Sequence, residues 1–237
     1  SGRKMYGKIK SVFIDLDDTL LDFRRSEDAA VREALSEMGI AATDGIAARY
    51  SALNAEQWRL LEEGKTTRPR MLVDRFRNLF AEMKCSADPA EANERYKASL
   101  ARQVFFVPGA IKLLETLSPR CDLYLASNGT ASVQDGRIKR AGIGRYFRDI
   151  FVSQRVGFDK PARGFFDACF ALSGARAESS VMIGDSLSSD IRGGASAGMR
   201  TVWFNPRRLP APDDPKPDFI VTALSEVPAA LAACGKL

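Results

Sequence analysis

The 237-residue chain contains no histidine. That absence excludes a Ser-His-Asp triad, a Cys-His pair and any histidine-ligated zinc or iron. Any catalysis must therefore use carboxylates, lysine, hydroxyls and a hard metal ion that prefers oxygen. Cysteine is also sparse: Cys85, Cys121, Cys169 and Cys234 are widely scattered, with no C-x-x-C pair. They read as reduced, buried thiols, neither a zinc site nor a disulfide frame. No apolar run approaches the roughly 18 residues of a membrane span, and the N-terminus lacks the apolar stretch of a signal peptide. A cytoplasmic protein with no membrane partner is the expectation, and no internal repeat is visible.

What is present fits an ordinary globular protein, 45% hydrophobic and 27% charged. The length allows one domain with an insertion, or two smaller domains. The net charge of +5 is modest. Arg137, Lys139, Arg140, Arg145 and Arg148 cluster, but no aromatic or motif pattern accompanies them. They read as a solvated helix face, so no nucleic-acid polymer is expected as partner. A basic balance helps to draw in anionic substrates.

Chemistry first shows at Val12-Phe13-Ile14-Asp15-Leu16-Asp17-Asp18-Thr19. A short β-branched and aromatic run reads as a strand buried on both faces of a parallel sheet. It stops at a carboxylate, and the carboxyl ends of such strands form the crevice where ligands bind. Asp15 and Asp17, two residues apart on extended backbone, leave the same side of it. Clustered carboxylates repel one another unless a cation joins them.

From about Asp22 to Gln103 the periodicity turns helical. Ser26-Glu27-Asp28 is expected to open a first helix with Ala30, Val31, Ala34, Leu35 and Met38 on its apolar stripe, and Gly39 suits its end. A second helix carries Tyr50, Leu53, Trp58 and Leu61. Pro69 suits the first turn of a third, and Asp88-Pro89-Ala90-Glu91 caps a fourth. Strand and helix alternate from Phe105 onward, with strands at 122–126, 150–152, 181–183, 201–204 and 219–221. This alternation predicts a doubly wound parallel sheet. The expected organisation is an α/β core of residues 1–21 and 104–237 with a helical insertion, 22–103.

Three strands thus end in polar groups at one edge. The first gives Asp15 and Asp17, the second Ser127 and Asn128, and the third Asp185, with Asp190 farther along. Together they make an oxygen-rich pocket, with carboxylates for a hard divalent cation and hydroxyl and N–H donors for an oxyanion. Lys160, before Pro161, is placed to neutralise charge developing on that oxyanion.

Asp15-Leu16-Asp17-Asp18-Thr19, Ser127-Asn128-Gly129, Lys160-Pro161 and Gly184-Asp185-Ser186 through Asp190 resemble, in order, the four motifs of the haloacid dehalogenase-like (HAD) phosphohydrolase superfamily. The resemblance covers nearly the whole chain, including a helical cap between the first and second motifs. It implies a Rossmann-like core and a Mg²⁺-dependent phosphatase acting on a small phosphorylated metabolite. Asp15 would be the nucleophile, Asp17 the acid and base, and Thr19 a residue that helps to hold Asp17. Ser127, Asn128, Gly129 and Lys160 would bind the phosphoryl group. The resemblance gives Mg²⁺ the carboxylates of Asp15 and Asp185 and the backbone carbonyl of Asp17. Asp190 would bind a metal-bound water or hold Lys160, with a plain helix cap as the alternative.

The stretch from Asp185 to Asn205 is similar to the branch containing pyrimidine 5′-nucleotidases and N-acylneuraminate-9-phosphatase. A nucleoside 5′-monophosphate is therefore one candidate substrate. A sugar phosphatase or phosphomutase, a 2-haloacid dehalogenase and a non-catalytic binding protein are the alternatives. Lys65 and Arg68, between two cap helices, are candidate substrate contacts. Trp58 reads as a residue of the cap's own core. The sequence leaves monomer and homodimer open.

Overall fold

The computed structural model describes residues 8–235. In chain order it runs β1 (Ser11–Ile14), α1 (Phe23–Glu37), α2 (Asp44–Glu62), α3 (Arg68–Glu82), α4 (Pro89–Leu100) and α5 (Ala110–Leu117). Then come β2 (Asp122–Ser127), α6 (Ala131–Ala141), β3 (Asp149–Val152), α7 (Ser153–Val156) and α8 (Arg163–Ser173). The chain continues through β4 (Ser180–Gly184), a π-helical turn at Leu187–Ile191, α9 (Arg192–Ser196), β5 (Arg200–Phe204), β6 (Phe219–Val221) and α10 (Val227–Cys234). It divides into two compact units. One holds the described residues up to Asp22, Phe106–Gln134 and those from Ala141 on; the other holds Phe23–Phe105 and Asp135–Arg140.

The α/β unit is built on six strands in the order β3-β2-β1-β4-β5-β6, all paired in parallel. β1 and β4 are buried along their whole length, as central strands covered on both faces must be. From β1 the chain winds outward through β2 and β3, then returns to the other side of β1 as β4. The strand order therefore reverses between β1 and β4, the point where doubly wound sheets open a ligand crevice. Register fixes what lies there. Ile14 is level with Leu125 of β2 and Ile183 of β4, so Asp15, Ser127 and Asp185 leave adjacent strands at one edge. Below that edge Phe13 stacks on Tyr124 with ring centroids 4.9 Å apart, in a core completed by Phe151, Phe165, Phe166, Cys169 and Met182. The Cys121, Cys169 and Cys234 side chains are buried.

The helical unit has an aromatic centre: Tyr50, Phe76 and Tyr96 sit with centroids 4.8 to 5.7 Å apart. A polar chain runs through it. The Asn54 amide donates to Glu27 Oε1 at 2.7 Å and its carbonyl accepts from Arg75 Nη1 at 2.8 Å. Arg75 also donates to Asn93 Oδ1 and Leu72 O, and its guanidinium lies 4.7 Å from the Tyr96 ring centre. The buried charges are thus satisfied through amides, as burial requires. One expectation is corrected here: α1 begins at Phe23, so Ser26 and Glu27 are interior residues of the helix and both are buried. Glu27 does not cap the helix. It accepts from Ser51 and Asn54 on α2. The Asp88 cap is formed as expected, accepting from Ala90 N at 2.9 Å.

Candidate active site

At the reversal point, Lys160 is the centre of the charge arrangement. Its ammonium donates to Asp15 Oδ1 at 2.9 Å, Asp190 Oδ1 at 2.7 Å and Ala126 O at 2.7 Å. An ammonium has three N–H groups, so this set is complete. Burial acts to lower the Lys160 pKa, but the Asp15 and Asp190 carboxylates outweigh it and hold the group above its ordinary value. Asn128 aims this lysine from behind. Its side-chain amide donates to Lys160 O and accepts from Lys160 N, at 2.9 and 2.8 Å.

Asp190 has both oxygens engaged, Oδ1 by Lys160 and Oδ2 by the Ser186 N–H at 3.1 Å. The π-helical turn delivers it, with Ser186 Oγ accepting from Ser189 N at its start. A Cβ on Gly184 would overlap the Asp190 carboxylate, so only glycine lets the loop fold back this closely. Trp203, buried on β5, donates its indole N–H to Asp185 O at 2.9 Å and ties down the same loop.

Thr19 is fully buried and its hydroxyl lies between two acids, 3.2 Å from Asp15 Oδ2 and 3.4 Å from Asp185 Oδ1. The structure thus pairs Thr19 with Asp15 and Asp185, where the resemblance implied Asp17. Asp17 accepts from Gln134 Nε2 at 2.9 Å, and the same nitrogen lies 2.8 Å from Ser127 Oγ. The Gly129 N–H donates to Ser153 Oγ at 3.0 Å. Asp15, Asp17, Thr19, Ser127, Asn128, Lys160, Asp185 and Asp190 therefore converge at one edge of the α/β unit. Lys65 and Arg68 belong to the helical unit. Lys65 pairs with Glu63 at 2.6 Å, and the Arg68 guanidinium lies 5.3 Å from the Trp58 ring centre.

Carboxylate oxygens of Asp15, Asp185 and Asp190 lie within 4.8 Å of one another. Burial, then the neighbouring Asp190 charge, raises the Asp15 pKa to about 7 despite Lys160. Burial and the Asp15 charge push the Asp185 pKa well above its ordinary value. One lysine does not balance this group. An all-oxygen donor set with surplus negative charge fits a hard divalent cation. Lys160 and the Ser186 N–H hold both oxygens of Asp190, whereas Asp15 Oδ2 and Asp185 Oδ1 meet the Thr19 hydroxyl at 3.2 and 3.4 Å, long contacts that a cation would better, so the carboxylates of Asp15 and Asp185 are the ones suited to hold it.

Gln134, Ser153 and Trp203 were not legible as site residues in the sequence. Gln134 follows Ser127 by seven residues and so falls on the first turns of α6, but a lone glutamine there carries no signal without the fold.

Known proteins are similar to this chain along nearly its whole length. HAD-hydrolase YfnB of Bacillus subtilis is 35% identical over 221 residues, covering 93% of this chain and 94% of that protein. Its magnesium-bound crystal structure, described as revealing interdomain movement, superposes with a TM-score of 0.88 over 94% of this chain and 98% of that one. Pyrimidine 5′-nucleotidase PynA of Streptococcus pneumoniae is 34% identical over 220 residues, 92% of this chain and 93% of that protein. N-acylneuraminate-9-phosphatase of Mus musculus is 26% identical over 239 residues, 94% of each. Among the described residues no helix is long and apolar enough to cross a membrane. With the haloacid dehalogenase-like hydrolase pattern matching residues 9–198, three strand-end motifs and a loop lysine at one edge, and a relative this similar along nearly its whole length, the chain belongs to the haloacid dehalogenase-like hydrolase family and is an enzyme.

Proposed function

We propose that the protein is a Mg²⁺-dependent phosphatase of small phosphate monoesters that works through an aspartyl-phosphate on Asp15. The observation that carries this reading is the buried Lys160–Asp15–Asp190 cluster with Asp185 beside it. Asp15 is held by Lys160 and Thr19, so its carboxylate is aimed before substrate arrives. An Asp15 oxygen attacks phosphorus, the ester P–O bond breaks, and the proton on Asp17 passes to the departing oxygen. Asp17 then takes a proton from the water that attacks the phosphoaspartate, releasing phosphate and restoring Asp15. The Ser127 hydroxyl and the Asn128 N–H face the charge that develops on the phosphoryl oxygens, and the Lys160 ammonium, its three N–H groups already engaged, acts on that charge as a fixed positive charge bonded to Asp15.

Asp15 and Asp185, with the Asp17 carbonyl, would hold Mg²⁺, which when bound neutralises phosphoryl charge. Gly129 serves phosphate binding indirectly on this reading, because its N–H is used by Ser153. Dehalogenation needs neither a proton donor nor a metal, and so gives Asp17 and Asp185 nothing to do. Residues 22–103 act as the substrate-selecting cap of the core formed by 1–21 and 104–237, with Lys65 and Arg68 as contacts. The names of PynA and the sialic-acid phosphatase favour a nucleoside 5′-monophosphate or a sugar phosphate as substrate.

The test is inorganic phosphate release from a panel of nucleoside monophosphates and sugar phosphates, with Mg²⁺ and with EDTA, for wild type and Asp15→Asn. Metal-dependent release that vanishes in the variant is expected, and the ranking of substrates separates nucleotidase from sugar phosphatase. No release from any substrate would overturn the assignment.

A further inference from the structure

We infer that Gln134 is a positioning residue that sets the hydrogen-bond polarity of the site, committing Asp17 to proton transfer from one oxygen and Ser127 to donation toward phosphate. This deepens the phosphatase reading above and rests on it. The Gln134 side chain is buried. Its amide nitrogen lies 2.9 Å from Asp17 Oδ2 and 2.8 Å from Ser127 Oγ. An amide NH₂ carries two hydrogens and accepts nothing, so each contact has a fixed direction.

Two consequences follow. Asp17 Oδ2 is an acceptor while this bond stands, because a proton on Oδ2 would face an N–H. The transferable proton is therefore confined to Oδ1, and the carboxyl cannot swap its two oxygens. Ser127 Oγ, already accepting, has its own proton available as a donor. The acceptor recorded for that proton is Asn128 O at 3.4 Å, a long contact that a phosphoryl oxygen would better. One side chain thus orients the proton donor for the leaving group and a donor to the transferred group.

Gly129 makes room for this. A Cβ there would stand 2.9 to 3.1 Å from Gln134 Cγ, Nε2 and Cδ. The crowding falls on the end of a flexible side chain, so an alanine would displace the Gln134 amide and leave the backbone in place.

The experiment compares kcat/KM for two substrates in Gln134→Leu, Asp17→Asn and wild type. One is para-nitrophenyl phosphate, whose leaving phenolate needs no proton. The other is the alkyl phosphate turned over fastest in the panel above, a nucleoside 5′-monophosphate such as uridine 5′-monophosphate or a sugar phosphate, whose leaving alkoxide does. Because kcat/KM covers only steps through ester cleavage, hydrolysis of the phosphoaspartate does not enter. Loss of Ser127 orientation lowers both substrates alike, and the ratio between them isolates Asp17. Gln134→Leu is expected to lower the alkyl phosphate roughly 10- to 100-fold more than the aryl phosphate, in the direction of Asp17→Asn. A parallel fall on both substrates, with Asp17→Asn still discriminating, would mean that Gln134 only fills space and would overturn the inference alone. Absence of discrimination in Asp17→Asn would overturn the acid role of Asp17 and the inference with it. Should Gln134→Leu fail to fold, Gly129→Ala carries the same comparison with the same two outcomes.

Discussion

Lys160 Nζ stands 2.7 Å from Asp190 Oδ1, and both side chains are sealed from solvent. Such a pair contributes little net stability against an apolar substitute, but breaking it strands a charge. Asp190→Ala should cost about 3 kcal/mol, the lower end of the usual range, because Lys160 keeps Asp15 and Ala126 O. It also strips the Ser186 N–H of its acceptor. Asp190→Asn retains an acceptor for Lys160 and should cost less. Urea unfolding of both variants tests this, and an alanine penalty no larger than the asparagine one would show that Asp15 and Ala126 O satisfy the lysine without Asp190.

The acid cluster makes the metal-free protein sensitive to pH in an unusual direction. Asp15 has its folded pKa raised to about 7, above its ordinary 3.8, so the folded state binds the proton more tightly than the unfolded chain. Its contribution is therefore present at low pH and is lost as pH rises toward and through 7. With EDTA the melting temperature should fall as pH rises from the ordinary value of 3.8 to the folded value of about 7, and Mg²⁺ should restore it at the upper end. Asp15→Asn should be inactive yet melt higher than wild type in EDTA at the upper pH, since it removes one buried charge from the group. A flat melting profile in EDTA would remove this electrostatic account.

The features that were readable in the sequence share a cause. β1 and β4 are buried apolar runs that end at an acid, so composition alone marks both the strand and its functional end. Alternation then gave the parallel sheet. What escaped detection was burial of polar groups whose partners are distant in the chain. Lys160 is marked as a site lysine by its motif, but its burial shows only when Asp15, 145 residues away, and Ala126, 34 away, meet it. Glu27 looked like a helix-opening acid because Asn54 and Ser51 lie on another helix. Gln134 and Trp203 are invisible for the same reason: each is defined by a loop atom that only the sheet register brings near.

Lys65 and Arg68 have mutual consequences for binding and little for folding. Lys65 is exposed and its partner Glu63 is a screened surface acid, a pairing that contributes little. Lys65→Ala should leave the melting temperature unchanged, while Arg68→Ala uncovers the half-buried Trp58 ring. On the proposed role each substitution raises KM several-fold or reorders the substrate panel, with kcat and the Mg²⁺ requirement retained, because uniform binding is what is lost. Steady-state kinetics across the panel decides it, and unchanged KM for every substrate removes both residues from the site.

Trp203 offers a direct optical view of metal binding. Its indole N–H is bonded to the backbone oxygen of Asp185, and the Asp185 side chain is one of the carboxylates suited to the cation. The chain has two tryptophans, and Trp58 lies in the helical unit. A Trp58→Phe variant thus leaves Trp203 as the sole indole. Drawing the Asp185 carboxylate onto a cation shifts the loop and the field at the indole, so titration with Mg²⁺ should change the emission of this variant saturably. Asp185→Asn should abolish the change while leaving the starting spectrum intact, since the backbone oxygen that accepts from Trp203 is retained. An emission change that persists in Asp185→Asn would place the cation elsewhere, and the proposed ligand pair of Asp15 and Asp185 would then fail.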